Sequence, residues 1–312
     1  MMCAHRAAET MVNAPSIAYG NAQLPQAMST TLTGPLQQLD PAAVKLALAR
    51  DEQQFYALFA MYPGAEASTD SSVNWTIGGD ELGLWNCVYR TQFAPADADR
   101  RISTVLARFL ASGAPSMVWI VVPGDQPSDL GMHLVADHGL EDVRRERMMA
   151  VNLDALPGVD QAPGGLIIKR VATDAALRDW VHVAAFAFAP PRQDQARRVN
   201  VDRYRHVVLK RRGPLQLFLG RIDGQPVGAS ALFTGAGLAS IHDVVTDPEW
   251  AFRGIGTAMT SAALMAGRLR ELQVGALTSE RTGPSLYVRL GFQEFGTLHR
   301  YRWTRERALG RS

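Results

Sequence analysis

Arg253 to Ala258 reads Arg-Gly-Ile-Gly-Thr-Ala, preceded by the apolar run Ala239 to Val245 and followed by Met259 to Leu272, whose apolar residues recur at helical spacing. A strand, a glycine loop and a helix in that order build a phosphate cradle. Gly254 and Gly256 carry no Cβ, so a ligand can lie against the backbone, and the first turn of a helix leaves about four N–H groups without intrahelical partners. A diphosphate is their natural acceptor. Glycine also serves tight strand-to-helix turns for geometry alone, and a short Gly-x-Gly loop does not by itself separate the two uses. Downstream, Leu286 to Phe292 reads Leu-Tyr-Val-Arg-Leu-Gly-Phe, with Tyr287 four residues before Gly291. Gly291 and Phe292 are expected to end a short helix and start a strand.

Together these two elements resemble the acetyl-CoA-dependent acyltransferases of the GNAT superfamily. The superfamily's nucleotide loop, Arg or Gln, x, x, Gly, x, Gly or Ala, is filled by Arg253, Gly256 and Ala258, and its later Tyr-x-x-x-Gly-Phe pattern by Tyr287, Gly291 and Phe292. The resemblance covers the last half of the chain. It implies an α/β (α+β) fold with a mixed, mostly antiparallel central sheet flanked by helices. It also implies acetyl-CoA as cofactor and an N-acetyltransferase that passes the acetyl group to a primary amine by direct attack in a ternary complex. The implied cofactor positions are Arg253, Gly254, Ile255, Gly256, Thr257 and Ala258, the backbone of Val244, Val245 and Thr246 where the strand splays from its neighbour, and Ser285. Tyr287 takes the place of the phenol that protonates the departing thiolate. Two departures stand out. Many relatives carry an asparagine several residues before the tyrosine, where this chain has Glu280 and Arg281, and the spacer Asp247 to Phe252 is about two residues longer than the common form.

Acyl transfer from a thioester needs a neutral amine, and an unperturbed alkylamine has a pKa of roughly 10, so a base or a desolvating pocket must remove a proton. His242 and Asp243 on the strand, Glu249 just after it, and a water relay are the alternatives. Adjacent strand residues face opposite sides, so His242 and Asp243 are not expected to point into one cleft. A backbone N–H near Val244 to Thr246 could stabilise the oxyanion. A non-catalytic acyl-CoA-binding regulatory module is the alternative function. A nucleotide kinase fits less well, since no Lys-Ser or Lys-Thr pair follows the glycines.

The chain has 312 residues, 47% of them hydrophobic, enough for two packed domains. Its net charge is +2, so no global field argues for nucleic acid. The basic run from Arg192 to Arg212 reads as a solvated helical face, with no nucleic-acid motif beside it. Cys3 and Cys87 have neither metal nor redox spacing, and no metal-ligand set is expected. The first thirty residues lack a continuous apolar segment, which predicts no membrane span and a cytoplasmic protein whose segment 1–35 is poorly ordered. The acceptor is a small-molecule or protein amine, and nothing speaks to the oligomeric state.

Proline and glycine cluster from Leu156 to Gly165 and predict a boundary between domains at 36–155 and 165–312. Beyond it the pattern predicts strands at Leu166 to Val171, Leu215 to Arg221, Pro226 to Phe233, Leu238 to Thr246, Gly275 to Ser279 and Gln293 to Trp303. A helix over Asp174 to Phe188 is also expected. The first half reads as an eroded copy of the second. Gly139 aligns with Gly291 (291 − 139 = 152), and the same offset sets Arg101 under Arg253 (253 − 101 = 152). Arg101 is followed by Ile102, Ser103 and Thr104, whose side chains would crowd a phosphate, so no cofactor site is expected there.

Overall fold

The computed structural model describes residues 35–156, 163–187, 192–208, 213–280 and 284–310. The expected disordered segment lies almost wholly outside them, as do Lys210, Arg211 and Arg212. The first half supplies α1 (Pro41–Phe59), β1 (Glu66–Thr69), β2 (Val73–Ile77), β3 (Cys87–Thr91), α2 (Ala98–Ala111), β4 (Ser116–Val121), the short α3 (Leu130–Met132) and β5 (Glu141–Asn152). α3 continues as a π-helical turn over His133–Asp137. The second half supplies β6 (Ile167–Arg170), α4 (Asp174–Ala184), α5 (Arg192–Val208), β7 (Leu215–Ile222), β8 (Gln225–Phe233), β9 (Ala239–Thr246), α6 (Ile255–Arg268), β10 (Val274–Glu280), α7 (Pro284–Arg289), β11 (Gln293–Thr304) and α8 (Arg305–Ala308).

Local chemistry sets these boundaries. Asp40 caps α1, its carboxylate accepting the Ala43 N–H at 2.8 Å, with Pro41 in the first turn where no N–H is needed. Thr173 caps α4 in the same way. Asp223 and Gly224 both take positive φ, 50° and 82°, the conformation a two-residue hairpin needs between β7 and β8.

All eleven strands join one sheet in the order β1-β2-β3-β4-β11-β5-β10-β9-β8-β7-β6. Only β3/β4 and β9/β10 pair in parallel; the other neighbours are antiparallel. The sheet does not divide at the expected boundary. Each half lends its last strand to the other: β11 lies against β4, and β5 lies against β10.

The β5/β11 ladder repeats itself under the offset of 152. Gln293 pairs with Ala150 and Arg302 with Glu141, and each pair becomes the other when 152 is added to one member and subtracted from the other. Glu146 with Leu298 maps onto itself (298 − 146 = 152). The register shifts skip Val143 and Phe295, again 152 apart. The helices keep a different offset: α6 starts 255 − 98 = 157 residues after α2 and ends 268 − 111 = 157 after it. The expected match of Arg101 with Arg253 is therefore shifted by five residues. By helix position Arg253 corresponds to Ala96, Gly256 to Asp99, and Arg101 to Ala258.

α1 crosses the middle of this sheet, burying Val44, Ala47 and Leu48 against Met148, Ala150, Ala276 and Leu298 from both halves. Burial of each large aliphatic side chain contributes about 1.5–3 kcal/mol. Beneath the same helix Arg300 is half-buried, its guanidinium 2.9 Å from Glu146 Oε2 and 2.8 Å from the Tyr56 hydroxyl. Among the described residues no helix is long and apolar enough to cross a membrane.

Candidate active site

β9 and β10 pair over only three positions, Ala239 with Gly275, Ser240 with Ala276 and Ile241 with Leu277. Beyond Ile241, β9 stays on β8, with His242, Val245 and Thr246 opposite Ala231, Ala229 and Gly228. Beyond Leu277, β10 stays on β5, with Thr278, Ser279 and Glu280 opposite Met148, Arg147 and Glu146. The facing edges of the two strands are thereby left open as a wedge. Val244, Val245 and Thr246, all half-buried, line its β9 edge.

A bulge deepens the opening. Asp243 and Val244 together stand opposite Ser230, and Asp243 takes φ 50°, a left-handed conformation that aspartate tolerates better than most residues. The bulge breaks the alternation expected of His242 and Asp243. Both residues border the ring of Phe55: it stacks on His242 at 3.8 Å and lines the same cavity as Asp243.

At the end of the wedge, Gly254 forms the amino-terminal cap of α6 with φ 81°. The first hydrogen bond of α6 back to its cap runs from the Ala258 N–H to the Gly254 carbonyl at 3.1 Å, so the amides of Ile255, Gly256 and Thr257 precede the ladder. α6 begins four residues earlier than the apolar pattern implies, so the loop glycines belong to its first turn. Gly256 has ordinary negative φ, and a Cβ there would stand 3.7 Å from both Leu286 Cδ2 and Thr246 Oγ1. Neither backbone nor packing requires glycine at this position. That one point also brings together the loop, the end of β9 and α7. Arg253 lies over the Trp250 ring at 4.7 Å, beside this turn.

Tyr287 is half-buried on α7, its ring edge-on to Phe292 at 5.9 Å, in a hydrophobic cluster with Val244 and Leu277 from the two edges of the wedge. Burial pushes its phenol above the ordinary range, so the hydroxyl keeps its proton at neutral pH. Ser285 belongs to α7 as well, but its side chain lies outside the described residues. Glu249 is exposed in the turn Pro248–Trp250, where its N–H bonds the Asp247 carboxylate.

Near the bulge, a cavity of about 190 Å³ lies between α1, α4 and α5. Phe55, Tyr56, Leu84 and Trp85 come to it from the first half, and Trp180, Asn200, Tyr204 and Asp243 from the second. Trp85 donates to Asn200 Oδ1 at 3.1 Å and so fixes the two halves together there. The Tyr204 hydroxyl donates to Asp243 Oδ2 at 2.7 Å. Asp243 is open at the cavity mouth yet ringed by protein, and this burial raises its carboxyl above the usual range, with Tyr204 and His242 opposing. His242 faces α1 instead. Its Nε2 lies 3.0 Å from Ser240 Oγ and 3.7 Å from Asp51 Oδ2. Burial disfavours its charge, but Asp51 and Glu52 outweigh that and hold the imidazole above its ordinary pKa.

Among the described residues several arginines of the basic run are paired. On α5, Arg203 is buried against the Gly78 carbonyl and Asp80, Arg205 pairs with Asp174 and Asp202, and Arg197 pairs with Asp194. The aromatic cavity lining from α1 had no sequence signal of its own, because Phe55 and Tyr56 belong to no motif.

Residues 214–294 match the family model described as "Acetyltransferase (GNAT) domain". Two curated relatives extend the likeness. Mycothiol acetyltransferase of Clavibacter michiganensis subsp. michiganensis is 31% identical over 209 residues, 64% of this chain and 65% of that protein. Mycothiol acetyltransferase of Clavibacter sepedonicus is 32% identical over 168 residues, 52% of each chain. The chain thus spans less than two thirds of the length of both. Among solved structures, a GCN5-related N-acetyltransferase from Kribbella flavida superposes with a TM-score of 0.61 at 17% identity, covering 83% of this chain and 95% of its own. A tandem GNAT protein from the clavulanic acid biosynthesis pathway gives 0.51 at 13% identity, covering 87% and 98%. The fold is the mixed, mostly antiparallel GNAT-like sheet flanked by helices.

Proposed function

We propose that the chain is an acetyl-CoA-dependent N-acetyltransferase whose cofactor enters the β9/β10 wedge and whose amine acceptor enters from the cavity between α1, α4 and α5. The observation that carries this reading is the convergence of the open strand edges, the bare Gly256 and α7 at one point. Acetyl-CoA supplies an acyl thioester when bound. The amides of Ile255, Gly256 and Thr257, with Gly254, Ala258 and Arg253 around them, hold its diphosphate at the start of α6. The backbone of Val244, Val245 and Thr246 pairs with the extended arm as an added strand would, and Ser285 lies on the opposite wall. Tyr287, kept protonated by burial, donates to the leaving sulfur.

Asp243 is the base this geometry favours over His242 and Glu249. It alone of the three lines the cavity, and its raised pKa brings it nearer to the working range of a base at neutral pH. His242 is engaged by Ser240 and Asp51, and Glu249 stands on the outer surface. The cavity walls are mostly apolar or aromatic, which desolvates an ammonium group and eases its loss of a proton.

We also infer that the halves, 36–155 and 165–312, are copies of one ancestral unit that exchanged their last strands, with the first copy degenerate. The ladder that maps onto itself under a shift of 152 supports this. A cytoplasmic setting fits the free, buried thiol of Cys87.

The test is titration calorimetry with acetyl-CoA, followed by thiol release over a panel of primary amines that includes the acceptor of the mycothiol acetyltransferases. Saturable binding and release with at least one amine are expected. Absence of binding overturns the reading; binding without release for any amine makes the chain an acyl-CoA-binding module instead.

A further inference from the structure

Where the second half has a bare glycine cradle, the first half gathers imidazoles and carboxylates. Asp99 occupies the helix position of Gly256 (256 − 99 = 157), in the first turn of α2. His133 occupies the position of Ser285 (285 − 133 = 152), where α3 passes into the π-helical turn. That turn closes with the His138 N–H on the His133 carbonyl at 3.2 Å, and both histidines at its ends reach Asp99 of α2. His133 Nδ1 lies 2.9 Å from Asp99 Oδ1 and 3.5 Å from Asp137 Oδ2, and His138 Nε2 lies 3.1 Å from the same Asp99 oxygen.

We propose that Asp99, His133 and Asp137 form a binding site for a divalent transition cation of the zinc type, with His138 beside it. Donors at about 2.0–2.2 Å from a tetrahedral zinc stand about 3.4 Å from one another, and the observed separations bracket that value. Donor atoms of Asp99, His133 and Asp137 all lie within 4.8 Å of one another. His138 Nε2, 3.1 Å from the same Asp99 oxygen, stands beside that set as a partner of the Asp99 carboxylate.

A second observation points the same way. His133 turns its other ring nitrogen, Nε2, toward Asp129 Oδ1 at 3.7 Å. A carboxylate behind the far nitrogen of a ligating imidazole is the usual device for fixing its tautomer and raising its basicity. Imidazole nitrogen mixed with carboxylate oxygen suits zinc, cobalt or nickel better than magnesium or calcium, which take oxygen sets. The chemistry of the two cradles is thus opposite in sign: amides for an anion in one half, carboxylates and imidazoles for a cation in the other.

The experiment is calorimetric titration of the full chain with zinc chloride in a non-chelating buffer, with magnesium chloride alongside. One saturable zinc site per chain is expected, with no comparable heat from magnesium. Cobalt in place of zinc is expected to give the visible bands of a tetrahedral N/O set. Asp129→Asn, which leaves the three donors in place, is expected to weaken zinc 10- to 100-fold. His133→Ala with His138→Ala is expected to abolish the site, with acetyl-CoA affinity unchanged as the check that the variant is folded. No saturable zinc binding, equal binding of magnesium, or undiminished binding in the double variant would overturn the proposal. Loss of acetyl-CoA binding in the wild-type chain would bear on the proposed function alone.

Discussion

The two places where parallel strands meet, β9 beside β10 and β3 beside β4, start alike and end differently. Each pairs for two or three residues before the strands part. In the second half no described residue bridges the gap. In the first it is filled by the segment after β4, whose Gln126 N–H bonds the Thr91 carbonyl at 3.0 Å and whose Gln126 carbonyl accepts from Phe93 at 3.1 Å. Asp125, buried there, accepts the Thr91 N–H at 3.1 Å and the Val122 N–H at 3.0 Å. The same framework therefore gives a ligand cleft or a closed sheet according to what one short segment does with the free strand edge. The offset of 152 also puts Val135 where Tyr287 stands (287 − 135 = 152), so the closed half lacks the phenol as well.

Tyr287→Phe is the sharpest way to test that asymmetry. It removes the proton donor and keeps the ring on Phe292, so kcat is expected to fall on the order of 10²-fold or more, with acetyl-CoA affinity unchanged by calorimetry. Unaltered kcat would make Tyr287 a packing residue, as Val135 is not, and the comparison would then rest on the glycines alone.

Asp243→Asn is expected to lower kcat/KM by about 10²-fold and to change the pH profile. The carboxylate is the active form of a base, and its folded pKa is raised by burial. Activity should therefore fall as pH drops through a limb lying above the ordinary carboxylate range, and Asn should flatten that limb. Tyr204→Phe removes a hydrogen bond that favours the carboxylate, so its limb should move to still higher pH.

Much of this cleft could be read from local pattern. The glycine loop, the hairpin at Asp223 and Gly224, and the tyrosine before Gly291 are short-range signals, each fixed by a backbone conformation or by a motif a few residues long. The strands of the second half fall within a residue or two of their expected ends for the same reason. What escaped is non-local. No periodicity tells that β5 and β11 change places, because a strand's own side-chain pattern does not name the strand it lies beside. Asp243 reads as a residue in regular alternation until the bulge turns it toward Tyr204. The Arg101 alignment failed because strands and helices of the two halves drifted by different amounts, 152 and 157, which a single offset hides. Asp125 gave no signal, since its role depends on two amides brought to it by folding.

Gly256→Ala separates ligand from scaffold within the open half. The added methyl group meets nothing closer than 3.7 Å, and alanine in a helix is worth about 0.5–1 kcal/mol over glycine, so the variant is expected to melt no lower than wild type. Its acetyl-CoA affinity is expected to fall roughly 10-fold, the equivalent of 1.4 kcal/mol, because the methyl occupies the space the ligand backbone contact needs. Opposite signs in melting temperature and affinity are the distinguishing result. If both fell together, glycine would be there for the turn.

The smallest effect on activity belongs to the closed half. Asp125→Ala strips two buried N–H groups of their acceptor, which costs on the order of 1–3 kcal/mol of stability, while kcat per folded molecule should not change. Burial raises the Asp125 carboxyl to about 6 from 3.8, so the folded chain holds its proton more tightly than the unfolded chain does. That contribution is fully present below the unfolded value and is lost as pH rises through the folded one. Chemical denaturation of wild type should accordingly show stability declining between pH 4 and pH 6 from this group, a slope absent in the variant, so the gap between the two narrows toward neutral pH. A gap that widened with pH would mean that the two amides hold Asp125 as a carboxylate, and that the plug depends on a buried charge.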